Sequence, residues 1–267
     1  MSTRGRVIVL AAAMLFLYLP MALLILYSFN ESRLVTVWSS FSTKWYGELF
    51  RDQQMMRAIW MSLRIAFLAA TASLVLGVLA GIALTRLGAF RGKALLGTMI
   101  TAPLVIPEVI TGLSLLLLFV AMGQLIGWPS QRGMLTIWIA HVTFCTAYVT
   151  LIVAGRMAEF DHSVEEAAMD LGATPFTTFT RITLPIISPA LIAAWLLAFT
   201  LSLDDLVIAS FVTGPGASTL PIVVFSSVRL GVSPKVNALA TILIAVVMVG
   251  VLSAWWLMRR YRDRSMS

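Results

Sequence analysis

Six long apolar runs, four of them free of charged residues, constrain what this chain can fold into more than any other feature. They cover residues 7–27, 65–84, 95–121, 134–155, 188–212 and 236–258. About 20 apolar residues in a helix span the hydrocarbon core of a bilayer, and a helix satisfies its own backbone hydrogen bonds there. Hydrophobic residues make up 60% of the 267 positions and charged residues 12%. The sequence therefore predicts an all-α polytopic membrane protein with six transmembrane helices.

The basic residues predict how these helices are oriented. With the amino terminus inside, eleven Lys or Arg residues lie on the inner side and eight on the outer side, and the inner ones lie close to the ends of the runs. Such an excess is typical of cytoplasmic loops. Six crossings then place both termini in the cytoplasm. The net charge of +7 is accordingly ascribed to membrane orientation, and no nucleic-acid partner is expected.

The same pattern predicts how the chain is organised. Residues 1–58 form an uncleaved first transmembrane helix and an outer interfacial segment, in which STKWYGELF predicts a short helix capped by Ser42 or Thr43. Residues 59–258 form the main membrane domain. Residues 259–267 form a basic cytoplasmic tail.

The longest inner loop, residues 156–187, differs from the rest of the chain because it carries charge, threonine and helix-ending residues. Ser163 stands where it can cap a helix that begins at Val164, and Glu166 follows at the capping-box spacing. Gly172 can end that helix in a left-handed conformation. The first half of the loop is therefore predicted to be a short capped helix.

The second half of the loop predicts another short helix. Pro175 can open it, residues 176–182 form it, and Pro185 separates it from the fifth membrane helix. The apolar residues of this helix–turn–helix exceed what the loop can bury by itself. It therefore either rests on its own bundle or enters a groove of a cytoplasmic partner.

Seven residues of this loop match the signature E-A-A-x3-G-x9-I-x-L-P at every position. They are Glu166, Ala167, Ala168, Gly172, Ile182, Leu184 and Pro185. By this signature, placed between the fourth and fifth runs, the chain resembles the permease subunits of binding-protein-dependent ABC importers. The resemblance implies the type I importer permease fold. It also implies that residues 156–187 are the coupling loop, through which these seven residues contact an ATPase.

The resemblance further implies the partners of the chain. They are a second permease subunit in a heterodimer, two ATP-binding subunits that dock on residues 163–182, and a periplasmic substrate-binding protein, all at the bacterial inner membrane. ATP and Mg would be bound by the partner subunits, so no cofactor and no catalytic residue are expected in this chain. GAFRGKA, residues 88–94, departs from a phosphate loop: one residue is missing between its glycines, and Ala94 replaces the needed Ser or Thr.

Three carboxylates interrupt the apolar runs: Glu108, Asp204 and Asp205. A carboxylate at membrane depth needs water, a partner or a substrate beside it. Since neighbouring helical positions point about 100° apart, one aspartate is expected to line a pathway and the other to contact a neighbouring helix or a partner subunit. Negative charge there suits a cationic substrate. Structural pairing of the acids with Arg64, Arg132 or a partner's base is the alternative.

Two stretches carry a resemblance to one branch of these permeases. SLDDLVIASFVTGPGASTLPI, residues 202–222, and PLVIPEVITGLSLLLLF, residues 103–119, resemble the spermidine/putrescine branch, and within it the putrescine permeases. The resemblance implies that the chain forms half of an alternating-access pathway for a polyamine. The aromatic candidates that would contact its alkyl chain are Trp195, Phe199 and Phe211, with core packing as the alternative.

Other functions stay open at this point. Ferric iron permeases of the same family carry similar segments. A self-sufficient proton-coupled carrier could use Glu108 and Asp204 as a relay, although matched broken helices are not evident in the sequence. An intramembrane enzyme would need a nucleophile–base pair or a metal cluster. His141 and Cys145 share a helix face, but without a further ligand they are ascribed to packing, and no metal site is expected.

Overall fold

The computed structural model describes residues 3–34, 37–231 and 233–265, and within these residues the regular elements are helices. Residues 35–36 of the expected outer segment and residues 266–267 of the expected basic tail lie outside this description, as do the side chains of residues 254–265. The helices are α1 Thr3–Ser28, α2 Lys44–Arg51, α3 Gln53–Thr85, α4 Lys93–Val105, α5 Glu108–Ile126, α6 Met134–Glu159, α7 Ser163–Asp170, α8 Pro175–Thr178, a π-turn Phe179–Thr183, α9 Leu184–Asp204, α10 Val207–Val212, α11 Leu220–Leu230 and α12 Pro234–Ser265.

Five of the helical segments described are long and apolar enough to cross a membrane. They are Arg4–Ser28, Gln53–Thr85, Glu108–Ile126, Met134–Glu159 and Pro175–Asp204. The sixth predicted run falls in α12, Pro234–Ser265, whose side chains are described without a gap only as far as Gly250. The all-helical membrane character is therefore confirmed, and the count of six crossings stays a prediction.

Two of the predicted membrane helices are broken near their acidic residues. Between α4 and α5, Ile106 is extended (φ −75°, ψ 130°), because the residue before a proline is disfavoured in the helical region. Between α9 and α10, Asp205 is extended (φ −63°, ψ 121°). The carboxylate of Asp205 accepts the backbone N–H groups of Ile208 (3.2 Å) and Ala209 (2.7 Å), and so caps α10. The expectation that Asp204 and Asp205 are neighbours on one helix is wrong, since the helix ends between them.

The chain divides into two compact units, of which the first comprises the residues up to Met56 and from Val224 onward. In this unit α12 packs on α1 and α2. Lys235 Nζ lies 2.7 Å from Asp52 Oδ2, and this hydrogen bond holds the pKa of Asp52 below its ordinary value. The expected interfacial helix is present as α2. Thr43 precedes it without a side-chain capping bond, while Ser42 Oγ accepts the backbone N–H of Lys44 (3.2 Å).

The second unit, Arg57–Val223, is built around α6, which has eleven buried residues. Helix α6 packs along α9 and also contacts α4, α5 and α10. Helix α3 approaches α6 closely because its glycines lack a side chain: a Cβ on Gly77 would lie 2.4 Å from Val149 Cγ1, and one on Gly81 would lie 2.9 Å from Val153 Cγ1. Small residues four apart are a common device for close helix packing in membranes.

Candidate functional site

All residues predicted for the coupling loop and for the substrate pathway lie in the second unit. In the coupling loop, α7 ends as predicted at Gly172, which adopts a left-handed conformation (φ +90°). Gly172 N–H donates to Met169 O (2.9 Å) and Ala173 N–H donates to Ala168 O (3.0 Å). These two bonds form a Schellman motif, which satisfies the last carbonyls of the helix.

The predicted start of α7 is wrong by one residue. Ser163 is already helical and forms no capping bond with its side chain, so the expected capping box with Glu166 is absent. The reason is Asp161, whose Oδ1 accepts the backbone N–H of Ser163 (3.0 Å). This hydrogen bond also lowers the pKa of Asp161.

The predicted separation of the second loop helix from the fifth membrane helix is also wrong. The expected helix over residues 176–182 appears as α8 and the π-turn, which continue directly into α9. Proline breaks a helix because it lacks an amide hydrogen. Here Leu184 N–H donates to Phe179 O across the wider π-turn, and Pro185 then occupies the first turn of α9, where proline is tolerated.

The signature residues differ in exposure. Glu166, Ala167, Gly172 and Pro185 are exposed, whereas Ala168, Ile182 and Leu184 are partly buried. Two apolar side chains that were not singled out from the sequence project furthest, since Leu171 is 89% exposed and Phe176 is 76% exposed. The loop therefore presents a mixed acidic and apolar surface.

Glu165, which precedes the signature, is the buried acid of the loop and was missed by the sequence analysis. Its carboxylate lies 2.9 Å from Arg86 Nε and 2.9 Å from His162 Nδ1, and it accepts a 2.5 Å hydrogen bond from Thr183 Oγ1. Beside it lies a cavity of about 590 Å³, lined mainly by apolar side chains such as Ile82, Met157 and Phe176. No short-range pattern indicates that Glu165, and not Glu166, turns inward.

The three predicted pathway acids occupy different environments. Glu108 is the first residue of α5 and Asp204 is the last residue of α9, and both are exposed. Asp205 is buried in the break between α9 and α10. The two exposed acids therefore stand at the two helix breaks, whereas Asp205 belongs to the packed interior.

Asp205 has an internal partner that the sequence analysis did not consider. Its Oδ2 lies 3.1 Å from His141 Nε2, and His141 Nδ1 lies 2.6 Å from Ser202 Oγ. The partners considered from the sequence were Arg64, Arg132 or a base of a partner subunit. Arg132 instead donates from Nη1 to the backbone carbonyl of Phe211 (3.1 Å). The side chain of His141 is completely buried, so its role is to join α6 to the break.

The predicted aromatic residues do not gather around Asp204. Trp195 stacks on Phe199 (5.4 Å between ring centroids), packs edge-on against Phe67, and donates to Thr71 Oγ1 (3.2 Å). Asp204 follows Trp195 by nine residues, which at about 100° per residue places it on the opposite side of α9. These contacts favour packing for Trp195 and Phe199.

Phe211 lies elsewhere, against α5. A Cβ on Gly112 would lie 2.7 Å from Phe211 Cδ2 and 3.2 Å from Ile208 Cα, so Gly112 permits α5 and α10 to touch. Gly112 follows Glu108 by four residues and therefore lies on the same face of α5. Of the three aromatic candidates, Phe211 is the one the fold places on the face of α5 that carries an exposed acid.

Among the residues that the structure describes, no group of three His, Cys, Asp or Glu side chains could hold a metal ion. Cys145 is buried, and its Sγ lies 3.5 Å from the carbonyl of Ala198. The site is thus defined by two broken membrane helices with exposed acids at the breaks, and by an exposed loop on the same unit. Broken membrane helices with exposed acids are typical of membrane transport subunits.

Comparison with known proteins agrees with that class. A family model described as the binding-protein-dependent transport system inner membrane component matches residues 73–266, and the chain belongs to this family. The putrescine transport system permease protein PotI of Escherichia coli (strain K12) is 62% identical over 255 residues, covering 96% of this chain and 91% of PotI. The spermidine/putrescine transport system permease protein PotC of the same strain is 41% identical, covering 90% of this chain and 88% of PotC.

A solved structure shows the same fold. A bacterial ABC transporter involved in the import of the acidic polysaccharide alginate matches with a TM-score of 0.70 at 16% identity, and 98% of both chains is covered. The resemblance to importer permeases and the type I permease fold are therefore confirmed. The chain is a multi-pass component of the inner membrane, and its family is one of transport components.

Proposed function

We propose that this chain is one permease subunit of an ATP-driven importer for polyamines, with putrescine as its first substrate. The observation that carries this proposal is the 62% identity to PotI over 96% of the chain. At that identity and coverage the substrate pathway and the docking loop are expected to be shared. The chain would form half of the pathway and work by alternating access.

The docking loop supports the proposed partners. Exposed Leu171 and Phe176 are costly in water unless a partner covers them, and Glu166 beside them adds a charge that can be matched. A cytoplasmic ATP-binding subunit is the proposed cover, with one such subunit for each of two permeases in a heterodimer. ATP and Mg would be held by those subunits, and no cofactor by this chain. Both termini would then be cytoplasmic, and a periplasmic binding protein would deliver the substrate.

The exposed acids support a cationic substrate. Glu108 and Asp204 stand at the two breaks, and a putrescine dication carries two ammonium groups that two separated carboxylates can balance. Asp205 is proposed to hold the break in place and not to contact the substrate, because its oxygens already accept hydrogen bonds from Ile208, Ala209 and His141. Phe211, at the face of α5 that carries Glu108, is the proposed aromatic contact.

Uptake in cells tests this assignment. Cells that lack their own polyamine importers are supplied with the complete system, and labelled putrescine, spermidine and ferric iron are measured separately. We expect putrescine uptake, with a loss of about tenfold or more for Glu108→Gln and for Asp204→Asn, since each removes one charge from the pathway. Glu159→Gln is the matched control, because Glu159 is an exposed acid whose partner is Arg156 at the inner end of α6.

The result would contradict the proposal in either of two ways. Uptake of ferric iron but not of polyamine would assign the chain to the other branch weighed above. Full putrescine uptake by the Glu108→Gln, Asp204→Asn double variant would remove both acids from the pathway.

A further inference from the structure

We propose that Arg86, Glu165 and Thr183 form the link through which movement of the coupling loop reaches the membrane helices. These three residues are called the Glu165 junction. The inference rests on the proposed function, since it assigns positioning residues for the same transport cycle. It concerns residues outside the signature, and it separates the part of α7 that would face the ATPase from the part that transmits the movement.

The two neighbouring glutamates of α7 point about 100° apart and differ in burial. Glu166 is exposed, whereas Glu165 is 7% exposed. A partner that pushes on the outer face of α7 would therefore displace Glu165 together with it, because the two residues share one rigid helical turn. The residues that Glu165 contacts would then be displaced with it.

Glu165 touches two membrane helices at their inner ends. Arg86 directly follows α3, and its Nε lies 2.9 Å from Glu165 Oε2. Thr183 lies in the π-turn that leads into α9 and donates to Glu165 Oε1 (2.5 Å). One carboxylate therefore joins α7 to α3 and to α9.

Each of these helices leads to the interior of the second unit. Segment Pro175–Asp204 is helical without a break, and its 30 residues span about 45 Å at about 1.5 Å per residue. It ends at the break that carries Asp204. Helix α3 is packed tightly on α6 through Gly77 and Gly81, so it cannot move at Arg86 without pressing on α6. Movement of the junction would thus be passed along stiff elements.

The ion pair is held firmly because its separation would leave a charge buried. The side chain of Arg86 is 16% exposed, and neither its Nε nor its Nη2 has a hydrogen-bond partner among the residues described, so Nε contacts Glu165 as an ion pair. Phe160 adds a ring contact 5.8 Å from the guanidinium carbon. The carboxylate of Glu165 therefore supplies the compensating charge, and breaking such a pair is far more costly than breaking an exposed one.

The cavity beside the junction increases the share of the connection between α7 and the membrane helices that depends on the contacts of Glu165. About 590 Å³ of space lies between the loop and the inner ends of the helices, bordered by Arg86, Glu165 and Thr183 themselves. Apolar packing is incomplete around such a space, so the polar contacts of Glu165 contribute a large share of the connection. Loosening them should disconnect α7 from α3 and from the start of α9 without unfolding these helices.

The test uses the complete complex in proteoliposomes, in which putrescine transported and ATP hydrolysed are both measured. We expect Glu165→Gln and Arg86→Gln to keep the ATPase subunits bound and hydrolysing ATP, while putrescine transported per ATP falls by about fivefold or more. The double reversal Arg86→Glu with Glu165→Arg should recover most of that ratio, because it rebuilds the pair. Thr183→Val, which removes only the hydroxyl contact, should lower the ratio by a smaller factor.

Glu159→Gln is the matched control, because Glu159 is an exposed acid that lies outside the junction and pairs with Arg156. It should leave both the retention of the ATPase subunits and the ratio of putrescine transported to ATP hydrolysed unchanged. An unchanged ratio in both single variants of the junction would overturn the proposal, and so would a lowered ratio that the double reversal fails to raise. If none of the junction variants assembles, including Thr183→Val, the junction is needed only for the structure of the complex, and the proposal is also overturned.

The wild-type complex separates this proposal from the proposed function. If wild-type vesicles transport no putrescine, the proposed substrate is wrong, and the junction is then tested with the substrate they do transport. If wild-type vesicles transport putrescine, the ratios of the variants decide the role of the junction alone.

Discussion

Substitution of Asp205 by alanine should weaken the packing of the second unit. The change removes the acceptor of two backbone N–H groups in α10, and it leaves His141 Nε2 without its partner in a completely buried place. Loss of a helix cap costs about 1 kcal/mol. An interhelical hydrogen bond in a membrane contributes about 0.6–1.7 kcal/mol, similar to one in a water-soluble protein, since the unfolded chain also finds partners in lipid. Together the loss is about 2 kcal/mol, or about 5 °C in Tm for a unit of this size.

The single cysteine of the chain offers the assay. Cys145 is buried in α6, one helical turn from His141, so a thiol-reactive dye reaches it only when the core of the unit opens. Thermal melts of the detergent-solubilised complex, with cysteine-free partner subunits, report that opening. Asp204→Asn is the matched control, because Asp204 is exposed at the same break. The Tm of this variant should stay within about 1 °C of that of the wild type. Equal melting of Asp205→Ala and wild type would refute this account of the break.

Two further predictions concern packing and charge. Gly77→Ala should lower the Tm in the same assay, since the new Cβ would lie 2.4 Å from Val149 Cγ1 and overpacking costs about 1–3 kcal/mol. Gly155→Ala is the control and should not lower the Tm, because a Cβ on Gly155 would meet no neighbouring atom within 4 Å. Equal changes in Tm for the two variants would contradict the close packing of α3 on α6. Lys235→Ala should destabilise the first unit at neutral pH, because Lys235 lowers the pKa of Asp52. A carboxylate whose pKa is lowered by folding stabilises the folded state by its full amount at any pH above its ordinary pKa. The difference in the free energy of unfolding between Lys235→Ala and the wild type should shrink as the pH falls below about 4. Chemical unfolding at several pH values measures it, and a difference that stays constant with pH would contradict the prediction.

The coupling loop shows what local sequence can predict. Gly172 stops α7 as expected, because a left-handed residue after a helix depends on nearby backbone bonds alone. The choice of Glu165 as the inward acid depends on Arg86, 79 positions earlier in the chain, and no pattern within the loop encodes it. Pro185 was expected to separate two helices, but it does not break the helix. The π-turn that accommodates it forms over Phe179–Thr183, and the residues next to Pro185 alone do not indicate it.

The helix breaks show the same division. The first break has a local cause, since Pro107 keeps the residue before it out of the helical region. The second break has no proline, and Asp205 is extended there while its carboxylate caps α10 and meets His141. The contact joins residues 64 positions apart in the chain, so no local pattern indicates it. His141, a polar residue within the uncharged run 134–155, was the signal in the sequence that this helix has a polar position in the membrane.

The most direct test of the central claim is putrescine uptake by the complex purified through this chain and reconstituted with its binding protein. We predict uptake that requires both ATP on the ATPase side and the binding protein on the other side, and that disappears with Glu166→Lys, because the reversed charge on the exposed face of α7 prevents docking. Uptake by this chain alone, driven by a proton gradient without ATP, would contradict the account.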